Sequence, residues 1–128
     1  MKKLIFAIAL VGLLTVLLAA CSGTDSTSDA VSSPNTVHMT DSNFAQSSIT
    51  ITKGSKLTLV SDTGQTHVIT NGFWNNSTPQ SKIEPGAPTV NATFQDNNPQ
   101  SFGPFNTPGS YHLYCTVHPN MNLTVTVK

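Results

Sequence analysis

Between Cys115 and Met121 the sequence reads Cys-Thr-Val-His-Pro-Asn-Met, which sets a thiol, an imidazole and a thioether three residues apart in turn. These are soft and borderline donors, suited to copper or zinc and poorly suited to magnesium or calcium. Three donors on so short a loop need another from elsewhere. His67, within the turn-rich run Gly64-Gln65-Thr66-His67-Val68-Ile69-Thr70-Asn71-Gly72, is the best-placed candidate. Two imidazoles, one thiolate and a weak thioether form the donor set of a blue-copper electron-transfer centre. The thiolate donates strongly and the thioether weakly, and a rigid scaffold that holds one arrangement in both oxidation states leaves little to reorganise when an electron moves. Zinc accepts His and Cys, but a Met donor argues against it.

Each donor also has a plainer reading. A lone buried Cys is an ordinary small hydrophobe, yet Cys115 is followed at the third and sixth positions by His118 and Met121. His118 alone would be a surface histidine and His67 a turn histidine. Met121 opens an inward-facing apolar series, so core packing competes with a ligand role there. His112 falls on the opposite strand face from Cys115, and His38 with Met39 lies in the first expected strand, so these read as structural or surface residues. Phe73 and Trp74 read as core or patch residues. Tyr114, on the outward face beside Cys115, reads as a surface tyrosine with a second electron route as its alternative. A catalytic thiol ranks last, because a Cys115 nucleophile would need a base and an orienting acid or amide, and Asp plus Glu number only six.

The elements that must position these donors are strands. After the first twenty residues no stretch keeps apolar residues at helical spacing, while β-branched and aromatic residues recur in short runs between Gly, Pro, Asn and Asp. Strands are expected over 36–40, 48–52, 56–61, 66–70, 88–94, 109–115 and 121–127, which implies an all-β sandwich or barrel. Alternation puts Tyr111, Leu113 and Cys115 on one face and His112 and Tyr114 on the other; Met121, Leu123, Val125 and Val127 likewise share a face. Cys115 and Met121 therefore point inward at one end of the sandwich. Residues 71–100, rich in Asn, Ser, Thr and Pro, read as loop around one short strand. There is no internal repeat.

The chain has 128 residues, six Lys, no Arg, six acids and zero formal charge. That length suits one domain, and without a basic cluster beyond Lys2-Lys3 nucleic-acid binding is not expected. Met1-Lys2-Lys3 followed by an apolar run to Ala20 reads as an export signal over 1–20. The run ends Leu18-Ala19-Ala20-Cys21, which resembles the bacterial lipobox and implies a lipidated Cys21 after cleavage. More than one acyl chain gives lasting membrane attachment at about 0.8 kcal/mol per buried methylene. Residues 21–35 then read as the lipidated cysteine and a flexible linker, spanning roughly 20 Å by random-coil scaling. This leaves 36–128 as the folded, metal-binding domain. The Asn-x-Ser/Thr sequences at Asn75, Asn76, Asn91 and Asn122 read as unmodified in a bacterial lipoprotein.

The segment Tyr111-His112-Leu113-Tyr114-Cys115-Thr116-Val117-His118-Pro119-Asn120-Met121 resembles the C-terminal copper loop of the cupredoxins, with the short Cys-x-x-His-x-x-Met spacing of the amicyanin kind. The run Ile49 to Val60 and the turn Phe105-Asn106-Thr107-Pro108-Gly109-Ser110-Tyr111 are similar to the family's strand and turn pattern, so the resemblance extends over 36–128. It implies a Greek-key sandwich and one type 1 copper held by His67, Cys115, His118 and Met121, with electron shuttling outside the cytoplasm. The electron port would fall to His118 beside Pro119. The partners implied are redox donor and acceptor proteins, membrane-associated through the setting of the lipid anchor, and the protein reads as a monomer. One departure stands out. Cupredoxins commonly follow the first histidine with an Asn that braces the ligand loop, whereas here the position is Val68; Thr116 keeps a hydroxyl that could serve the loop instead. That departure keeps copper binding or handling without electron transfer as the alternative function.

Overall fold

The computed structural model describes residues 33–128; the expected export signal, Cys21 and most of the linker lie outside them. The described chain is all-β, with nine strands in two sheets. One sheet contains β1 (Thr36–Met39), β3 (Leu57–Ser61) and β7 (Gln100–Phe102), in the order β1-β3-β7. The other contains β2 (Ser48–Ile51), β9 (Asn122–Val127), β8 (Gly109–Cys115), β4 (His67–Asn75) and β5 (Thr78–Ser81) in that order, with β6 (Asn91–Phe94) also paired to β4. The pairs β1/β3 and β2/β9 are parallel, and the remaining ladders are antiparallel. Just before β1, the Ser33 carbonyl accepts the Thr36 N–H and the Asn35 carbonyl accepts that of Thr58.

The core follows from alternation. In β9 Leu123, Val125 and Val127 are buried and the residues between them are half-exposed; in β8 Tyr111, Leu113 and Cys115 are buried on the same side. They meet Val37, Met39, Leu57 and Leu59 of the facing sheet, together with Phe94 and Phe105, two inward faces interdigitating as in other sandwiches. Tyr111 donates its hydroxyl to the Thr107 carbonyl at 2.7 Å, which fixes the turn leading into β8.

The stretch expected to be loop around one strand is more ordered than its composition suggests. β4 runs on to Asn75 and turns through Asn76 and Ser77, at φ 46° and 66°, into β5. Positive φ at both central residues is the hairpin turn that matches strand twist. β5 is exposed throughout, so no apolar alternation marks it, and Pro79 is tolerated because β5 ends the sheet. Within the expected 88–94 strand only Asn91–Phe94 pairs, and the short β7 completes the first sheet.

Tyr114 is a second correction. Its side chain does point away from the core, yet it is only 4% exposed. The β4–β5 hairpin lies over it. The Trp74 ring meets it edge to face at 5.9 Å between centroids, and at Gly72 (φ 125°) an added Cβ would fall 2.0 Å from the Gln80 carbonyl oxygen and 2.9 Å from the Tyr114 ring. Only glycine permits that approach at that φ.

Candidate metal centre

Register brings the donors together. β4 presents His67, Ile69 and Asn71 inward, and Ile69 pairs with Cys115 across the β4/β8 ladder, so His67 and Cys115 are diagonal neighbours on the core face. Beyond Cys115 the ladder gives way to the loop, tied back by two backbone bonds: Thr116 N–H to the Val68 carbonyl at 2.8 Å, and Cys115 N–H to the Met121 carbonyl at 3.1 Å. The Met121 N–H, at 3.3 Å from the His118 carbonyl, closes the turn. Asn120 takes the positive φ of 64° that this turn requires, a conformation Asn tolerates better than most residues.

Three donor atoms converge. Cys115 Sγ lies 3.4 Å from His118 Nδ1 and 3.9 Å from His67 Nδ1, and the ligand atoms of His67, Cys115 and His118 all fall within 4.8 Å of one another. The two imidazoles stand side by side, with centroids 4.8 Å apart. Cys115 and His67 are fully buried and His118 is half-buried. Met121 is buried in the same core cluster as Cys115, and its backbone carbonyl holds the Cys115 amide. Val117, half-exposed, and Pro119, exposed, flank His118 on the outside.

Burial first, and then the neighbouring His118 ring, push the His67 imidazole below its ordinary pKa, while the Thr40 backbone and Asp41 act in the opposite direction. The ring is therefore neutral at neutral pH, the form that ligates a metal. Its Nε2 is buried without a partner in hydrogen-bond geometry. A buried imidazole whose Nδ1 faces a buried thiol at 3.9 Å is unusual in a core built for packing alone. The thiol and imidazole set instead fits a borderline-to-soft metal ion.

Other residues fall away from this centre. His112 pairs its Nδ1 with Glu84 Oε1 at 2.8 Å on the outer face of β8, and His38 pairs with Asp62 at 2.6 Å. The Val68 side chain offers no polar brace, and the Thr116 contact to β4 is made by its backbone N–H. Asn71, which the sequence reading did not single out, is buried and spans the chain to residues 88–90. Its Nδ2 donates to the Pro88 carbonyl at 3.1 Å and its Oδ1 accepts the Val90 N–H at 2.7 Å. The Trp74 indole N–H also escaped that reading. It donates to the Cys115 carbonyl at 2.8 Å, and a contact between positions so distant in sequence leaves no local signal.

No family model matches the chain, and no curated protein matches it. Solved structures do. Amicyanin from Paracoccus versutus (Thiobacillus versutus) is similar with a TM-score of 0.57 and 20% identity, over 78% of this chain and 86% of that one. A mutant of amicyanin in its reduced Cu(I) form at pH 4 gives a TM-score of 0.55 at 17% identity, over 73% and 80% of the two chains. The reduced state of another amicyanin mutant gives the same values. The chain thus has the cupredoxin fold, as the resemblance of its C-terminal loop implied.

Proposed function

We propose that this protein is a one-electron carrier built on a type 1 copper site, which His67, Cys115 and His118 would hold as the principal ligands and Met121 as a weaker fourth. The observation that carries this reading is the convergence of a buried thiol and two imidazole nitrogens within 4.8 Å at one end of the sandwich. Bound there, copper would supply a reversible Cu(I)/Cu(II) couple. The chain does the rest. β4 and β8 hold His67 and Cys115 on one face, burial keeps water from the thiolate, and the neutral His67 ring needs no deprotonation to bind. Little has to move between the two oxidation states.

His118, half-buried between Val117 and Pro119, is the proposed electron port, because it links the buried donors to an apolar surface where a partner can approach. The partners would be redox donor and acceptor proteins. We further propose export and attachment to the outer face of the membrane through a lipid on Cys21, with residues 22–35 as the tether, and a monomeric working form.

The test is optical and electrochemical. The mature protein loaded with Cu(II) should be intensely coloured by thiolate-to-copper charge transfer, and should cycle between coloured and colourless with ferricyanide and ascorbate. A colourless adduct, or loss of the metal at each reduction, would sink the carrier reading and favour copper handling. For the anchor, mass measurement of the N-terminus decides: an unmodified Cys21 refutes it.

A further inference from the structure

Three contacts outside the donor set fasten the ligand loop to the β4–β5 hairpin. Trp74 Nε1 donates to the carbonyl of Cys115 at 2.8 Å. Asn122, just past the loop, accepts the Trp74 N–H with Oδ1 at 2.7 Å and donates Nδ2 to the Trp74 carbonyl at 3.1 Å. At the hairpin tip, Asn120 Oδ1 accepts the Ser77 N–H and Asn120 Nδ2 donates to the Ser77 hydroxyl, each at 3.2 Å. The hairpin therefore grips the loop at Cys115, where it begins, and again between His118 and Met121, where it ends.

The first-ligand strand provides much less. Val68 has no polar side chain, and its carbonyl gives the loop one backbone bond. The two asparagines use both ends of their amides on the hairpin, and the Trp74 ring is held at a fixed angle by its edge-to-face contact with Tyr114, so the clamp is itself rigid. Gly72 lets it lie this close.

We propose that the β4–β5 hairpin, through Trp74, Ser77, Asn120 and Asn122, is an external clamp that sets the geometry of Cys115 and His118, with Trp74 as the positioning residue. Its effect on the metal rests on the copper reading above. The clamp itself does not, since its hydrogen bonds involve none of the donor side-chain atoms. The indole N–H points the positive end of its dipole at the carbonyl of Cys115, the residue that carries the proposed sulfur ligand. Removing it favours the more positively charged oxidised metal and lowers the reduction potential.

Trp74→Phe removes the N–H and keeps an aromatic ring against Tyr114. In the metal-free wild type, the single indole signal, from the only tryptophan of the chain, should be protected from solvent exchange. In Trp74→Phe, the amides of Cys115 and Thr116 should exchange about fivefold faster, the Boltzmann weight of one neutral hydrogen bond, with the β1–β3 amides unchanged. In the copper-loaded variant the charge-transfer band should shift and the potential should fall. A folded Trp74→Phe with unaltered loop exchange, band and potential overturns the proposal, as does acceleration spread evenly over the whole sandwich. If Trp74→Phe does not fold, Asn120→Gly keeps the positive φ and removes only the tip contact. It should speed exchange at Met121 and shift the potential, and no change in either overturns the clamp. A wild type that takes copper without colour would refute the copper reading, while loop exchange in the metal-free variants would still decide the clamp.

Discussion

Cys115 is the one thiol among the described residues, and its replacement by Ser alters little in volume while removing the soft donor. Cys115→Ser should abolish the charge-transfer colour and leave the fold intact by circular dichroism. Met121 separates two roles that coincide in the sequence, ligand and core. Because it is 1% exposed, Met121→Ala should cost about 2–5 kcal/mol in denaturant unfolding from packing alone. Under the proposed ligand set it should also change the spectrum without erasing it, and an unchanged spectrum would leave Met121 a core residue only. The meeting of His67, Cys115 and His118 was legible because side-chain chemistry and spacing do not depend on distant context: Cys115 and His118 sit on one short loop, and His67 was the histidine a partner strand could bring. Trp74 was not legible. Its role depends on where its indole N–H points across a sheet, and nothing in the residues around it encodes a carbonyl 41 positions away.

Among the elements, strands with one wet face were readable and the clamp was not. β9 declares itself through buried residues at every second position, and β8 through Tyr111, Leu113 and Cys115, although the hairpin buries its Tyr114 as well. β5 reads Thr-Pro-Gln-Ser and buries none of them, so its place comes from the Asn76-Ser77 turn and from Gly72 rather than from hydrophobicity. Gly72 gives a sharp test of that reasoning. Gly72→Ala would press a methyl into the Gln80 carbonyl at a φ that favours glycine, so it should destabilise the protein by more than about 1 kcal/mol and unprotect the β5 amides first. Unaltered exchange in β5 would contradict the assigned packing. Asn71 braces β4 from the other side. Asn71→Ala strands the buried Val90 N–H and should cost about 1–3 kcal/mol, read as a shift in the denaturant midpoint.

At the scale of the whole molecule the charge balance shapes how partners meet it. Lys53, Lys56, Lys82 and Lys128 face Asp41, Asp62, Glu84 and Asp96, so the folded domain is neutral, unlike proteins steered over long range by net charge. Electron self-exchange of the copper-loaded protein should therefore change less than about twofold between roughly 10 and 100 mM salt, where the Debye length falls from about 30 to 10 Å; a tenfold change would show that local charge patches govern docking. The sandwich as a class was readable from short alternating strands, whereas the order of strands within its two sheets depends on parallel pairings such as β2 with β9, which no local pattern reveals. What the scaffold contributes to the proposed function is constancy: His67, Cys115 and His118 meet on strands and a loop already tied by backbone and side-chain bonds. The most direct test is X-ray absorption at the copper edge of the loaded protein in both oxidation states. The account predicts one thiolate sulfur and two imidazole nitrogens around the metal, the same set in Cu(I) and Cu(II). Absence of the sulfur, or a ligand set that changes on reduction, would contradict it.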